Sequence, residues 1–111
     1  MGHAVRVQGT LIQFQQPFGR QNATRPPSHV VVDVQTPEGE TVRAVFKQHF
    51  TWDIRDPSPG DVVPVDWDAR YRQARLALQG DPAYDAHAAR RQRRAEQEAA
   101  RAAQEEEPKQ G

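Results

Sequence analysis

The texture of the chain changes near Gly80. Before it, apolar and polar residues alternate at period two in short runs broken by Pro and Gly. After it comes a long stretch of Ala, Arg, Gln and Glu with almost nothing to bury. Period two marks half-buried strands, because successive side chains point to opposite faces. Good helix formers without an apolar stripe mark an exposed helix. The expectation is a mainly β protein. A small five-stranded barrel of OB or SH3-like type fills residues 1–80, a helical extension runs over 81–107, and 108–111 form a disordered end.

The first run is Ala4 to Gln15, with Val5, Val7 and Leu11 in one phase and Ile12 and Phe14 in the other. A slip of phase exchanges the two faces of a strand, so a bulge or bend is expected beside Gly9. Residues 16–28 are a long polar loop. Val30, Val32 and Val34 then alternate with Val31, Asp33 and Gln35. The turn Thr36-Pro37-Glu38-Gly39-Glu40 leads into a return strand with Val42, Ala44 and Phe46 on one face. Residues 48–60 are irregular and hold two prolines. A fourth strand has Val63, Val65 and Trp67 in phase, and Pro64 within it predicts an edge or bulged strand. The last strand places Ala74, Leu76 and Leu78 inward, and Gly80 closes it.

Asp81-Pro82 reads as an N-cap with Pro at the first helical position, so helix is expected from about Pro82 to Gln104. Arg90, Arg94, Gln97 and Arg101 fall on one face. Ala88, Gln92, Ala95, Ala99 and Ala102 fall on the opposite one with heptad-like spacing, a seam of small residues on which another helix could approach closely.

Charge is balanced at 15 basic and 15 acidic residues, which argues against tight sequence-independent DNA binding. With no Cys, disulfides, thiolate metal sites and thiol nucleophiles are excluded. No signal segment or membrane-length apolar run is present, so a cytoplasmic protein without membrane attachment is expected. Only Lys47 and Lys109 of the basic residues are Lys, a bias that points to a GC-rich bacterial or phage genome.

Gly60-Asp61-Val62-Val63-Pro64-Val65-Asp66-Trp67-Asp68, followed by Ala74-Arg75-Leu76, resembles the closing motif of a family of small β-rich bacterial domains of unknown function. In that family a Gly-x-x-Val-x-Val strand leads to Tyr-Asp-Pro and a short Ala-rich strand. Here Trp67-Asp68-Ala69 stands in place of Tyr-Asp-Pro, and the similarity spans about residues 5–78. The resemblance implies a fold and no activity. Its members often sit beside transmembrane helices, a feature this chain does not share.

The residues that could carry chemistry are scattered. His3, His29, His49 and His87 lie in different segments without metal-ligand spacing, so no metal or cofactor is expected. Asp53, Asp56, Asp61, Asp66 and Asp68 cluster around the second loop and its strand, where Asp favours turns by bonding nearby backbone. Ser28 and Ser58 lack a nucleophile elbow, and there is no phosphate-binding Gly loop. The chain therefore reads as non-enzymatic. The leading expectation is an interaction module whose helical tail or edge strand docks on a protein partner or on a second copy, with Ala88, Gln92, Ala95, Ala99 and Ala102 as the helix contact. The alternative is an OB-like binder of single-stranded nucleic acid using Phe18, Arg20, Arg25, Phe50 and Trp52 in the two loops.

Overall fold

Residues 4–16 and 25–106 are described by the computed structural model of the chain. Five antiparallel strands form a nearly closed barrel: β1 (Val5–Gln15), β2 (Ser28–Gln35), β3 (Thr41–Gln48), β4 (Val62–Asp68) and β5 (Gln73–Leu76). One helix, α1 (Ala86–Glu106), follows. The strands lie side by side in the order β3-β2-β1-β4-β5.

The barrel hangs on β1, which pairs with β4 through Val5 to Thr10 and with β2 through Gly9 to Gln15. The two ladders overlap at Gly9 and Thr10, and at Gly9 β1 faces Val34 on one side and Val63 on the other. A Cβ there would lie 2.8 Å from Val32 Cγ2 and 3.0 Å from Val65 Cγ2, so Gly9 is where the strand presses closest to the core. The phase slip itself falls three residues later than the sequence suggests. Leu11 pairs with Val32 and Gln13 with Val31, so Ile12 is the extra residue of a bulge. The bulge leaves Ile12 outside and turns Phe14 back against the core.

The β2–β3 hairpin follows its sequence pattern. Val34, Val32 and Val30 stand opposite Val42, Ala44 and Phe46. Its turn is closed by Thr36, whose carbonyl accepts from Gly39 N at 2.9 Å and whose N–H donates to Glu40 O at 2.9 Å. Gly39 takes the left-handed conformation at φ 91°, which a side chain would strain.

Pro64 does not mark an edge strand, because β4 lies between β1 and β5. On an antiparallel strand the nitrogen and carbonyl of one residue point to the same neighbour. The Pro64 carbonyl faces the chain after β5 and accepts from Ala77 N at 2.9 Å. The β4–β5 ladder ends one residue earlier, at Val65 and Leu76. The missing donor of Pro64 thus falls where the ladder stops.

Leu11, Val30, Val32, Val34, Val63, Val65, Trp67 and Leu78 fill the interior, all under 2 % exposed. The barrel is brought together at its open side by one side chain. The Gln48 amide donates through Nε2 to Leu76 O at 2.9 Å and accepts at Oε1 from Leu76 N at 2.8 Å. It stands in for a peptide group and joins β3 to β5 where strand pairing does not.

The helix starts later than Asp81-Pro82 suggests. Those residues form a separate turn, with Tyr84 N and Asp85 N donating to Asp81 O at 2.9 and 2.7 Å. Asp85 is the true N-cap, its Oδ1 accepting from His87 N at 2.9 Å and Ala88 N at 3.3 Å.

Gly9→Ala is expected to cost about 1–3 kcal/mol by overpacking, since Val32 and Val65 must both move. Urea denaturation checks it, and an unchanged midpoint would show that the barrel has slack there.

Candidate functional site

Two regions concentrate polar groups: the end of the barrel covered by residues 49–61, and the open side between β3 and β5.

At the covered end the central group is Arg25, only 5 % exposed. Its Nη1 donates to Thr51 O and Ile54 O, each at 2.8 Å, and its Nε donates to Gln16 Oε1 at 3.0 Å. Nη2 pairs with the Asp56 carboxylate. The guanidinium carbon lies 5.8 Å from the Phe50 ring centroid and 5.5 Å from that of Trp52. Phe50 in turn packs on Phe14 at 5.6 Å. Arg25 is therefore a buried cross-link that shapes the loop after β3, and its donors are engaged rather than free for phosphate. Phe50 is buried with it, while Trp52 is 63 % exposed. Phe18 and Arg20 lie outside the described residues.

The same loop holds the start of α1. Arg55 N donates to Tyr84 O at 2.7 Å and Ala86 N to Asp53 O at 3.0 Å, around a bridge between Ile54 and Asp85. His87 Nε2 lies 3.1 Å from Asp53 Oδ2. The Asp85 carboxylate also accepts from Gly80 N at 2.7 Å. That hydrogen bond, aided by the two capping N–H groups, holds the Asp85 carboxyl below the usual aspartate range. Burial and the neighbouring Asp61 push the Tyr84 phenol up, and its OH donates to Asp61 Oδ2 at 3.2 Å. Ala88 is buried, but from Arg90 to Gln104 every residue of α1 is exposed. Of the five helix-contact residues, Ala88 belongs to the fold, and Gln92, Ala95, Ala99 and Ala102 face solvent.

The aspartates named from the sequence are not gathered into an acid–base pair. Asp53 meets His87, Asp56 meets Arg25, and Asp66 binds Arg6 at 2.6 Å. Asp61 accepts from Ser58 N at 2.9 Å, and Asp68 accepts from Arg70 N at 3.0 Å and Tyr71 N at 3.2 Å. Among the described residues no three His, Asp or Glu side chains gather at metal-binding distance. None of the described helices is long and apolar enough to cross a membrane.

The open side carries a site that the sequence does not single out. β3 and β5 are the end strands of the sheet, and a groove of about 630 Å³ lies along the seam between them. Arg43, Val45, Lys47 and His49 line one side, and Arg72 and Arg75 the other. Among the described residues no carboxylate lines it. Arg43 is held by Asp33 through contacts of 2.8 and 3.0 Å, which keep the Asp33 carboxyl below its ordinary range. Arg72 lies 3.6 Å from Glu40. Lys47 and Arg75 have no acidic partner among the described residues. Asp66, opposite Arg75 in register, is engaged by Arg6. The alternation of β3 already places Arg43, Val45 and Lys47 on one outer face, but only the strand order brings Arg75 across from them.

No known protein family, curated protein or solved structure matches the chain.

Two measurements test the covered end. Arg25→Ala leaves the buried Ile54 O without its donor, at about 1–3 kcal/mol, while Thr51 O keeps the bond from Ile54 N at 3.1 Å. The exposed Asp56 rehydrates and adds little. A loss of stability together with a shift of Trp fluorescence is expected, and neither would change if Arg25 were ornamental. For Asp85, a lowered folded-state pKa means that its contribution is full above about pH 4 and fades as pH falls through the folded value. Asp85→Asn should therefore be less stable at neutral pH and show a flatter loss of stability in acid. Parallel acid limbs for the two proteins would remove this assignment.

Proposed function

We propose that the chain is a non-enzymatic interaction module in which the barrel is a mount and α1 an arm that associates with a second copy. The observation that carries this reading is the exposure of α1 on every face from Arg90 to Gln104. A polar helix with no packing of its own is marginal in water, and most helices owe their stability to tertiary contact. This one is nevertheless fixed at its root by the Asp85 cap and by the hydrogen bonds to Asp53 and Arg55. Its charges are unevenly distributed along its length. Arg90, Arg91, Arg93 and Arg94 occupy the first half, while Glu96, Glu98, Glu105 and Glu106, with Arg101 among them, lie beyond. Two copies placed antiparallel set the basic half of each against the mainly acidic half of the other. Ala95, Ala99 and Ala102 then allow close approach of the axes.

Sedimentation of the full chain tests the reading. A dimer is expected, weakening as salt screens the charges. Ala95→Glu with Ala99→Glu should give a monomer with lower helix content, since the arm loses the contact that supports it. A wild-type chain that stays monomeric into the high-micromolar range would overturn it.

A second reading is an OB-like barrel, supported by five strands in a nearly closed barrel and by exposed aromatic rings; such a barrel binds single strands on its face and loops. Trp52 and Tyr71, 63 % and 58 % exposed, offer rings on which bases stack. Trp fluorescence titrated with a mixed single-stranded oligonucleotide separates the two. Saturable quenching that weakens with salt supports this second reading, and no change removes it.

A further inference from the structure

We propose that the β3–β5 seam is a docking site for an extended acidic peptide, which adds as a strand to β3 and sets its carboxylates against Lys47 and Arg75. The site is separate from α1, so this inference and the association of α1 stand or fall independently.

Three observations converge on it. The first is backbone. β3 and β5 end the sheet, and among the described residues Gln48 alone joins them by hydrogen bonds. Away from Gln48 the strand edges face a groove, and an unpaired edge is a template for another strand. The second is charge. In a chain of zero formal net charge, the groove is lined by Arg43, Lys47, Arg72 and Arg75 and by no carboxylate among the described residues. Two of these cations, Lys47 and Arg75, are without acidic partners there. The third is spacing. Arg43, Val45 and Lys47 alternate along the outer face of β3, about 6.6–6.8 Å apart, which is also the repeat of same-face side chains on an incoming strand. Val45, 73 % exposed, lies between the two charges and offers an apolar contact.

The same features favour a peptide over a nucleic acid. Phe46 in the groove lining is partly buried against the core, and among the described lining residues the exposed His49 is the one ring on which a base could stack. Strand edges reward a partner with its own peptide N–H and C=O groups, which a phosphate backbone does not have. Lys47 on β3 and Arg75 on β5, the two unpartnered cations, both line the groove.

The test uses the full-length chain and a fluorescein-labelled peptide of sequence Glu-Thr-Val-Thr-Glu-Thr, which puts carboxylates opposite Arg43 and Lys47 and an apolar side chain opposite Val45 on one face and is about six residues long, the usual length of a strand. Anisotropy should rise to saturation. Lys47→Glu and Arg75→Glu should each weaken binding about tenfold. Lys47→Gln and Arg75→Gln, which introduce no new charge, give a smaller loss in the same direction and guard against a folding artefact. N-methylation of alternate peptide amides should abolish binding, because strand addition needs those donors. Absence of binding overturns the proposal. So does binding indifferent to the charge variants or to N-methylation. Tighter binding of oligothymidylate, lost in the same variants, would overturn it in favour of a nucleic-acid groove. A chain made monomeric by Ala95→Glu and Ala99→Glu should bind the peptide as the wild type does.

Discussion

The fold depends on one strand serving two neighbours. β1 gives its first half to β4 and its second half to β2, and both ladders pass through Gly9. A strand that twists enough to do this must approach its own core closely, and only a residue without a Cβ clears Val32 and Val65. The bulge at Ile12 then restores phase, so that Leu11 and Phe14 both turn inward although they are three residues apart. With β1 fixed in this way, the hairpin of β2 and β3 lies on one flank and β4 and β5 on the other. β3 and β5 become neighbours without being paired, and the Gln48 amide supplies the hydrogen bonds between them.

The covered end solves a different problem. Residues 49–61 form no regular element beyond a single bridge, yet two of their carbonyls point into a partly buried region. A buried backbone carbonyl needs a donor. Arg25 supplies donors to both from across the barrel end and so orders Phe50 and Ile54 as the plug. The plug in turn presents the backbone groups of Asp53 and Arg55 that hold Tyr84 and Ala86. Arg25, the plug and the root of α1 are thus joined by one chain of hydrogen bonds.

Much of this was legible in the chain because strand periodicity reports burial directly. Val30, Val32 and Val34, and Val63, Val65 and Trp67, are inward as their alternation requires. What the pattern could not supply was adjacency. Pro64 reads as an edge signal because a sequence does not show which ladder its nitrogen faces, nor that this ladder has already ended. Asp81-Pro82 has the composition of a helix start, but the backbone groups that anchor the helix come from Asp53 and Arg55, far away in sequence. Arg25 reads as a loop cation, since nothing in Arg25-Pro26-Pro27 announces two carbonyls 26 and 29 residues later. Gln48, Lys47 and Arg75 become a site only when β3 and β5 meet.

Net charge hides the seam for the same reason. Fifteen cations balance fifteen anions over the whole sequence, which argues against a strongly charged surface. Balance in a sum is not balance in space. The carboxylates of the barrel are drawn to particular tasks: Asp33 to Arg43, Asp66 to Arg6, Asp56 to Arg25, and Asp61 and Asp68 to backbone N–H groups of their turns. Each such task fixes an anion where the fold needs an acceptor, at a loop or on the outer face of an inner strand. None of them sits in the lining of the groove between the end strands. Lys47 and Arg75 are left across from each other by the folding requirements of the rest, so a chain with no net charge presents one locally cationic cleft, and it lies where the sheet can still accept a strand.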